Sequence, residues 1–243
     1  ILLVNATQGV EVGTEIFARH AVKHQKPLIV AVNQLDSEKQ DWHATIDSLK
    51  ATFGNKIVLV QYPVNPGPDF DTFIDVLKMK MYRFKDENGT RESFEIPDEY
   101  KEEALALQQQ LVEMAAENDE TLMETFFDKG VLTEDEIRAG MKVGMQMGDI
   151  LPVFCLSAKK DIGVKRIMEF TINAGIAPDK VDNELKDGNT VKVDSNGPTS
   201  IFVYKTAQEQ HLGDVSYFKV MSGKLVEGMD VVNPETGAKE RIA

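Results

Sequence analysis

Apolar positions come first in short unbroken runs and then at helical spacing. Residues 28–32 and 150–156 are continuous apolar stretches of strand length, the pattern of strands buried on both faces. Residues 1–4 have the same texture. Residues 14–25 predict a helix that Gly13 can start and Pro27 stops. Residues 37–53 predict an amphipathic helix, because Trp42, Ile46, Leu49 and Phe53 recur at steps of four, three and four, and Gly54 can close it. Alternating strands and helices imply a parallel sheet covered by helices, an α/β fold.

The texture changes after residue 56. Residues 57–62 predict a strand, and Pro63, Pro66, Gly67 and Pro68 a rigid loop. Leu77, Met79 and Met81 alternate with Lys78 and Lys80 as in a half-exposed strand, and Asn88-Gly89 signals a hairpin leading to Phe94 and Ile96. A long helix is predicted after Pro97, with Tyr100, Ala104, Leu107, Leu111 and Ala115 on one stripe. Another begins near Thr133, where Thr133-x-x-Glu136 has the form of a capping box. Residues 57–148 therefore predict an inserted α+β subdomain. The buried-strand texture returns at 150–156, and a helix from Gly163 should turn Val164, Ile167, Met168 and Ile172 inward. Residues 175–199 read as a linker, and from Ser200 short strands with Gly turns predict the start of an all-β barrel. The expected division is 1–56 with 149–179, then 57–148, then 180–243.

Composition narrows the classes. Hydrophobic residues make up 42% of 243, so the chain can bury a core and is not a disordered segment. Cys155, the sole cysteine, rules out an intrachain disulfide and a Cys-rich zinc module, and in a buried strand it reads as an inert small hydrophobe. Asp plus Glu number 40 against 27 Lys plus Arg, a net charge of -13, which argues against nucleic-acid binding by bulk charge. His20 and His24 have the i, i+4 spacing of metal ligands but lack an evident acidic third ligand, and no metal is assigned to them. Met141, Met145 and Met147 read as core filling. No apolar run is long enough to cross a bilayer, and residues 1–4 lack the basic start of a secretory signal. The abrupt opening at Ile1 suggests a segment of a longer protein.

Two loops follow buried strands at their C-terminal ends, where open α/β sheets bind ligands. One carries Asn33-Gln34-Leu35-Asp36, the other Ser157-Ala158-Lys159. Their chemistry suits guanine. A carboxylate accepts from both the ring N–H and the exocyclic amino group, a side-chain amide meets the oxygen and N7 edge, and a backbone N–H beside a small residue reaches the same oxygen. A wrong base would leave a buried acceptor unpaired. The plainer alternative is that Asn33 and Asp36 only cap the helix starting near Ser37.

At these residues the chain resembles the elongation factor G family of ribosomal translocation GTPases, along essentially its whole length. Ala6-Thr7-Gln8-Gly9-Val10-Glu11 is similar to the family's loop after the strand following switch two. Asn33-x-x-Asp36 matches its guanine-specificity motif and Ser157-Ala158-Lys159 its second base loop. The insertion between them is absent from elongation factor Tu. Gly213, Phe218, Val220, Ser222, Gly223, Leu225 and Gly228 follow the pattern that opens the family's second domain, a β-barrel. The resemblance implies an incomplete P-loop-GTPase-type parallel sheet, an inserted α+β subdomain and the start of the barrel.

It further implies a GTP/GDP site built from Asn33, Gln34, Asp36, Ser157, Ala158 and Lys159, in a cytoplasmic, monomeric factor that hydrolyses GTP to move transfer RNA and messenger on the ribosome. Asn33 and Asp36 would read the base, Ala158 would donate its N–H to the guanine oxygen, and Ser157 would shape that loop. The insertion would face the ribosomal stalk protein, with Glu99, Glu102, Glu103, Glu113, Glu117, Asp119 and Glu120 as its acidic side, and the barrel would meet ribosomal RNA. An ordinary solvated helix face is the alternative for those acids. Two departures stand out. Gln34 replaces the family's Lys, at a cost of about 1 kcal/mol in nucleotide binding if one hydrogen bond is lost. No Gly-x-x-x-x-Gly-Lys-Ser/Thr occurs, so the phosphate cradle, the Mg²⁺ ligands and the water-orienting residue are expected upstream of Ile1, and the segment alone is expected not to hydrolyse GTP. A ribosomal protection-type GTPase and a ribosome-binding paralogue with weak or absent GTPase activity remain the alternatives.

Overall fold

In a computed structural model, residues 1–86, 88–181, 183–185 and 188–242 are described. In chain order the first unit, Ile1–Gly175, holds β1 (Leu2–Asn5), α1 (Val12–Lys23), β2 (Val30–Asn33), α2 (Trp42–Phe53), β3 (Ile57–Leu59), β4 (Gln61–Pro63), β5 (Thr72–Asp75), β6 (Lys80–Phe84), β7 (Arg91–Phe94), α3 (Asp98–Ala116), α4 (Glu120–Lys129), α5 (Glu134–Met147), β8 (Leu151–Cys155) and α6 (Val164–Ala174). A parallel sheet runs β1-β2-β8-β3, with Val30 beside both Leu2 and Val153. An antiparallel sheet runs β4-β5-β6-β7.

The continuous apolar strands are explained by burial on both faces of the parallel sheet. Val30, Val32, Val153 and Cys155 face Trp42, Ile46 and Leu49 of α2, while Ala31 and Phe154 face Leu111, Met141, Ile167 and Phe170 of α3, α5 and α6. Each large aliphatic side chain so removed from water contributes about 1.5–3 kcal/mol. The α3 stripe holds, with Ala104, Leu111 and Ala115 buried and Tyr100 and Leu107 packed beside the core. The capping box forms, Glu136 N–H donating to Thr133 Oγ1 at 3.3 Å and Thr133 N–H to Glu136 Oε2 at 2.7 Å.

Several expectations are corrected. Ile57–Leu59 pairs parallel with β8, so these residues complete the first sheet, and β4 of the antiparallel sheet begins only at Gln61. Residues 57–148 share the core of the first unit: α3 and α5 cover one face of the parallel sheet, which local patterning could not reveal. Leu77 and Met79 lie in the turn between β5 and β6, not in a strand, because Asp75 Oδ1 accepts the Lys78 N–H at 3.0 Å and closes that turn. Helix α2 begins at Trp42, since Asp41 caps it by accepting from Ala44 N–H at 2.9 Å. Helix α4 is absent from the expected elements, although Asp119 at its N-cap and the left-handed Gly130 at its C-cap bound it. In α6, Met168 and Ile172 are exposed, and Arg166, Ile167, Phe170 and Ala174 face inward. Met147 ends α5 in solvent, whereas Met141 and Met145 are core.

Arg166 turns inward because Asp75 is there to meet it. Asp75 also takes a hydrogen bond from Gln61 Nε2 at 3.4 Å, and Gln61 Oε1 accepts the Cys155 N–H at 3.1 Å. This chain of buried polar contacts joins both sheets to α6.

The second unit, Ile176–Ala243, holds a short 3-10 turn at Pro178–Lys180 and is otherwise built of β-strands among its described residues. It comprises β9 (Asn183–Glu184) with β10 (Thr190–Val191), β11 (Ser200–Glu209) with β12 (Gly213–Ser222), and β13 (Asp230–Val232) with β14 (Lys239–Arg241), each pair antiparallel. Within the expected linker, residues 182, 186 and 187 lie outside the described residues.

Candidate functional site

The site is built where β2 and β8, adjacent and parallel, both end. The turn after β2 places Asn33 half-buried, Gln34 exposed with a left-handed φ of 64°, Leu35 buried and Asp36 half-buried. Leu35 anchors this turn from below: its side chain is in the core and its N–H donates to Leu156 O at 3.2 Å. The loop after β8 is closed by a small antiparallel bridge between Ser157 and Ile162, with Ser157 N–H to Ile162 O at 3.1 Å and the reverse bond at 2.9 Å. Ser157 is fully buried and its Oγ accepts the Lys160 N–H at 3.2 Å. Gly163 ends the loop at a φ of +81°, where a Cβ would lie 2.1 Å from the Cys155 carbonyl oxygen.

Loops 125 positions apart meet directly: the Ala158 N–H donates to Asn33 Oδ1 at 2.9 Å. A cleft of about 390 Å³ opens beside them, lined by Asn33, Gln34, Asp36, Ser37 and Lys159. Ala158 borders the cleft through its bond to Asn33, and Ser157 lies behind the loop. Among the described residues, the carboxylate of Asp36 and the ammonium of Lys159 have no hydrogen-bond or ion-pair partner. Helix capping does not occupy Asn33 or Asp36, since Asp41 performs it. A half-buried free carboxylate, an amide oxygen and a backbone N–H around one cleft suit a planar base bearing both donors and an acceptor. The Ala158 N–H is engaged by Asn33, so a base oxygen must exchange with that amide oxygen to take it. Larger cavities lie elsewhere, including one of about 630 Å³ lined by Val22, Phe53 and Met145, without such a donor set.

Sequence reasoning missed Ser37, which lines the cleft, and the loop at residues 65–69. The Gly67 N–H donates to Leu35 O at 2.7 Å, and Lys160 Nζ donates to Pro68 O. The Pro-Gly-Pro composition signalled a rigid loop but not its destination. His20 on α1 and His24 at its C-cap are exposed, and among the described residues no group of three His, Cys, Asp or Glu side chains is disposed to hold a metal. Burial, then the charge of Asp75, pushes the Cys155 thiol well above its usual range.

Glu99, Glu102, Glu103 and Glu113 on α3, and Glu117 at its C-cap, are exposed. Asp119 instead caps α4, accepting from Thr121 and Leu122 N–H at 2.9 and 3.1 Å. No helix among the described residues is long and apolar enough to cross a membrane.

The chain is similar to known proteins. The profile of the elongation factor Tu GTP binding domain matches residues 1–176. Elongation factor G of Thermotoga neapolitana is 32% identical over 252 residues, covering 100% of this chain and 36% of that protein. An elongation factor G-like protein of Thermotoga maritima is 30% identical over 247 residues, covering 100% of this chain and 35% of that protein. A crystal structure of a Thermus thermophilus protein superposes with a TM-score of 0.81 at 27% identity, covering 99% of this chain and 34% of that one. The chain thus spans about a third of the length of these relatives.

Proposed function

Because this chain belongs to the elongation factor Tu GTP binding domain family, matched over residues 1–176, we propose that it is the guanine-reading part of a ribosomal translocation GTPase of the elongation factor G type. The observation that carries the reading is the meeting of Asn33 and Ala158 at 2.9 Å beside a cleft into which the free Asp36 carboxylate opens. In this reading Asp36 accepts from the ring N–H and amino group of guanine, and the Asn33 amide meets its oxygen and N7 edge. Ala158 N–H passes from Asn33 to the base oxygen, Ser157 shapes the loop, and Gln34 and Lys159 flank the base. Bound GTP would supply the γ-phosphate whose loss resets switch loops elsewhere in the protein. The phosphate cradle and the Mg²⁺ ligands are assigned outside residues 1–243, and these residues alone are proposed to be inactive. The exposed acidic face of α3 is assigned to the ribosomal stalk protein, the second unit to ribosomal RNA, and the whole to a cytoplasmic monomer.

The test is GTP turnover by the full-length protein, with and without ribosomes, together with a translocation assay. Ribosome-stimulated turnover with movement of the messenger supports the translocase. A second reading, a ribosome-docking paralogue with weak or no GTPase activity, is favoured by Gln34 where the family carries Lys. Ribosome binding without stimulated turnover would select it. Stimulated turnover without translocation would point to a ribosomal protection-type GTPase.

A further inference from the structure

The two base-side loops are tied to each other a second time, through a segment that belongs to neither. The loop joining β4 to β5 sends one bond to each. Its Gly67 N–H donates to Leu35 O at 2.7 Å, inside the Asn33–Asp36 turn, and its Pro68 carbonyl accepts the ammonium of Lys160, two positions after Ala158. The segment is stiff. Asn65 ties it internally, Nδ2 donating to Asp69 O at 2.8 Å and Asp71 Oδ1 at 3.0 Å, while Oδ1 accepts the Asp71 and Thr72 N–H groups at 3.3 and 3.0 Å. Phe70 pins it to the core, with no exposed surface. The β6–β7 turn abuts the same second loop, since a Cβ on Gly89 would lie 2.9 Å from Asp161 Oδ2.

The direct tie between the loops, Ala158 N–H to Asn33 Oδ1, has to be given up if that N–H is to serve a ligand. The tie through Pro68 and Lys160 does not. It therefore holds the second loop in register at the moment the direct bond is exchanged. A group fixed in advance spends less of its binding energy on ordering.

We propose that the residue 65–71 loop is a spacer between the two base-reading loops, and that Lys160 is a positioning residue which, through Pro68, presents the Ala158 N–H to the 6-oxygen of guanine. This rests on the guanine reading given above. Lys160 does not touch the base; it acts through the loop that carries Ala158.

The experiment uses the full-length protein and calorimetric titration with three diphosphates: GDP, IDP, and 2-aminopurine riboside diphosphate, which lacks the 6-oxygen. Lys160→Met should weaken GDP and IDP together by about three- to tenfold, the range of one net hydrogen bond, and leave the 2-aminopurine analogue within about twofold. Lys160→Arg, which can still donate to the Pro68 carbonyl, should restore most of the loss. Equal weakening of all three probes, no weakening of any, or an arginine variant as weak as the methionine one overturns the proposal. A lowered unfolding midpoint alongside equal weakening would assign Lys160 to stability instead. If the unaltered protein itself fails to prefer GDP over ADP, the guanine site falls and this inference with it. Guanine preference that Lys160→Met leaves untouched sinks this inference alone.

Discussion

Arg166 Nε stands 2.6 Å from Asp75 Oδ2, with side chains 2% and 0% exposed. The pair joins α6, which follows the loop after β8, to β5 of the antiparallel sheet. Burial alone would pull the Arg166 pKa down. The charge and hydrogen bond of Asp75 outweigh it, and the pKa is raised. Arg166→Met strands a charge at Asp75 and should cost about 3–5 kcal/mol, whereas replacing both partners by apolar residues of similar volume should recover most of it. Urea unfolding of the two variants decides; a single variant within about 1 kcal/mol of the parent contradicts the account.

Gly163→Ala should destabilise by at least about 2 kcal/mol, because the residue holds a left-handed backbone and the new methyl meets a carbonyl. The same change should loosen the Ser157–Ile162 bridge. Hydrogen exchange at the Ile162 amide reads this locally, and unchanged protection there would contradict it.

Asp36→Asn replaces an acceptor-only carboxylate by an amide with both donor and acceptor. Guanine then faces a donor where it needs an acceptor, while xanthine, with oxygen in place of the 2-amino group, fits better. In the full-length protein, binding of GDP should fall by about tenfold or more as charge-assisted bonds are lost, and that of xanthosine diphosphate should rise. Parallel titrations check it; a variant that still prefers GDP removes Asp36 from the base site.

Gln34→Lys should strengthen GDP binding by about 1 kcal/mol if the missing ammonium matters. Equal affinity in parent and variant would show that glutamine is tolerated there without cost.

Cys155 should be silent to thiol reagents until the chain unfolds, because it is wholly buried and its thiol is held neutral. The folded pKa lies above the unfolded one, so the unfolded state loses its proton first. This contribution is intact below about pH 8.5 and shrinks as pH rises beyond it. Denaturant titrations from neutral to alkaline pH should show stability declining there, and Cys155→Ala should flatten that decline despite its lower starting stability. An unchanged slope would mean other groups cause it.

Much of the candidate site was legible because its signals are local. Each tetrapeptide follows its own apolar strand, and strand ends in a parallel sheet are where loops can present polar groups. What the residue types did not disclose was Ala158 already bonded to Asn33, or residues 65–69 bridging the two turns. Proline reports stiffness and glycine a permitted turn, and neither gives an address.

From the chain alone came the buried texture of β2 and β8, the α3 stripe, the Thr133–Glu136 cap and the hairpin at Asn88-Gly89. Each depends on residues a few positions apart, within reach of periodicity and capping rules. Tertiary contacts decided the rest. Ile57–Leu59 joined the parallel sheet because β8 offered it an edge. Helix α6 turned Arg166 inward and Met168 and Ile172 outward because Asp75, 91 positions earlier, supplied the countercharge. A buried charge takes its orientation from its partner, and nothing in the residues flanking Arg166 says where that partner is.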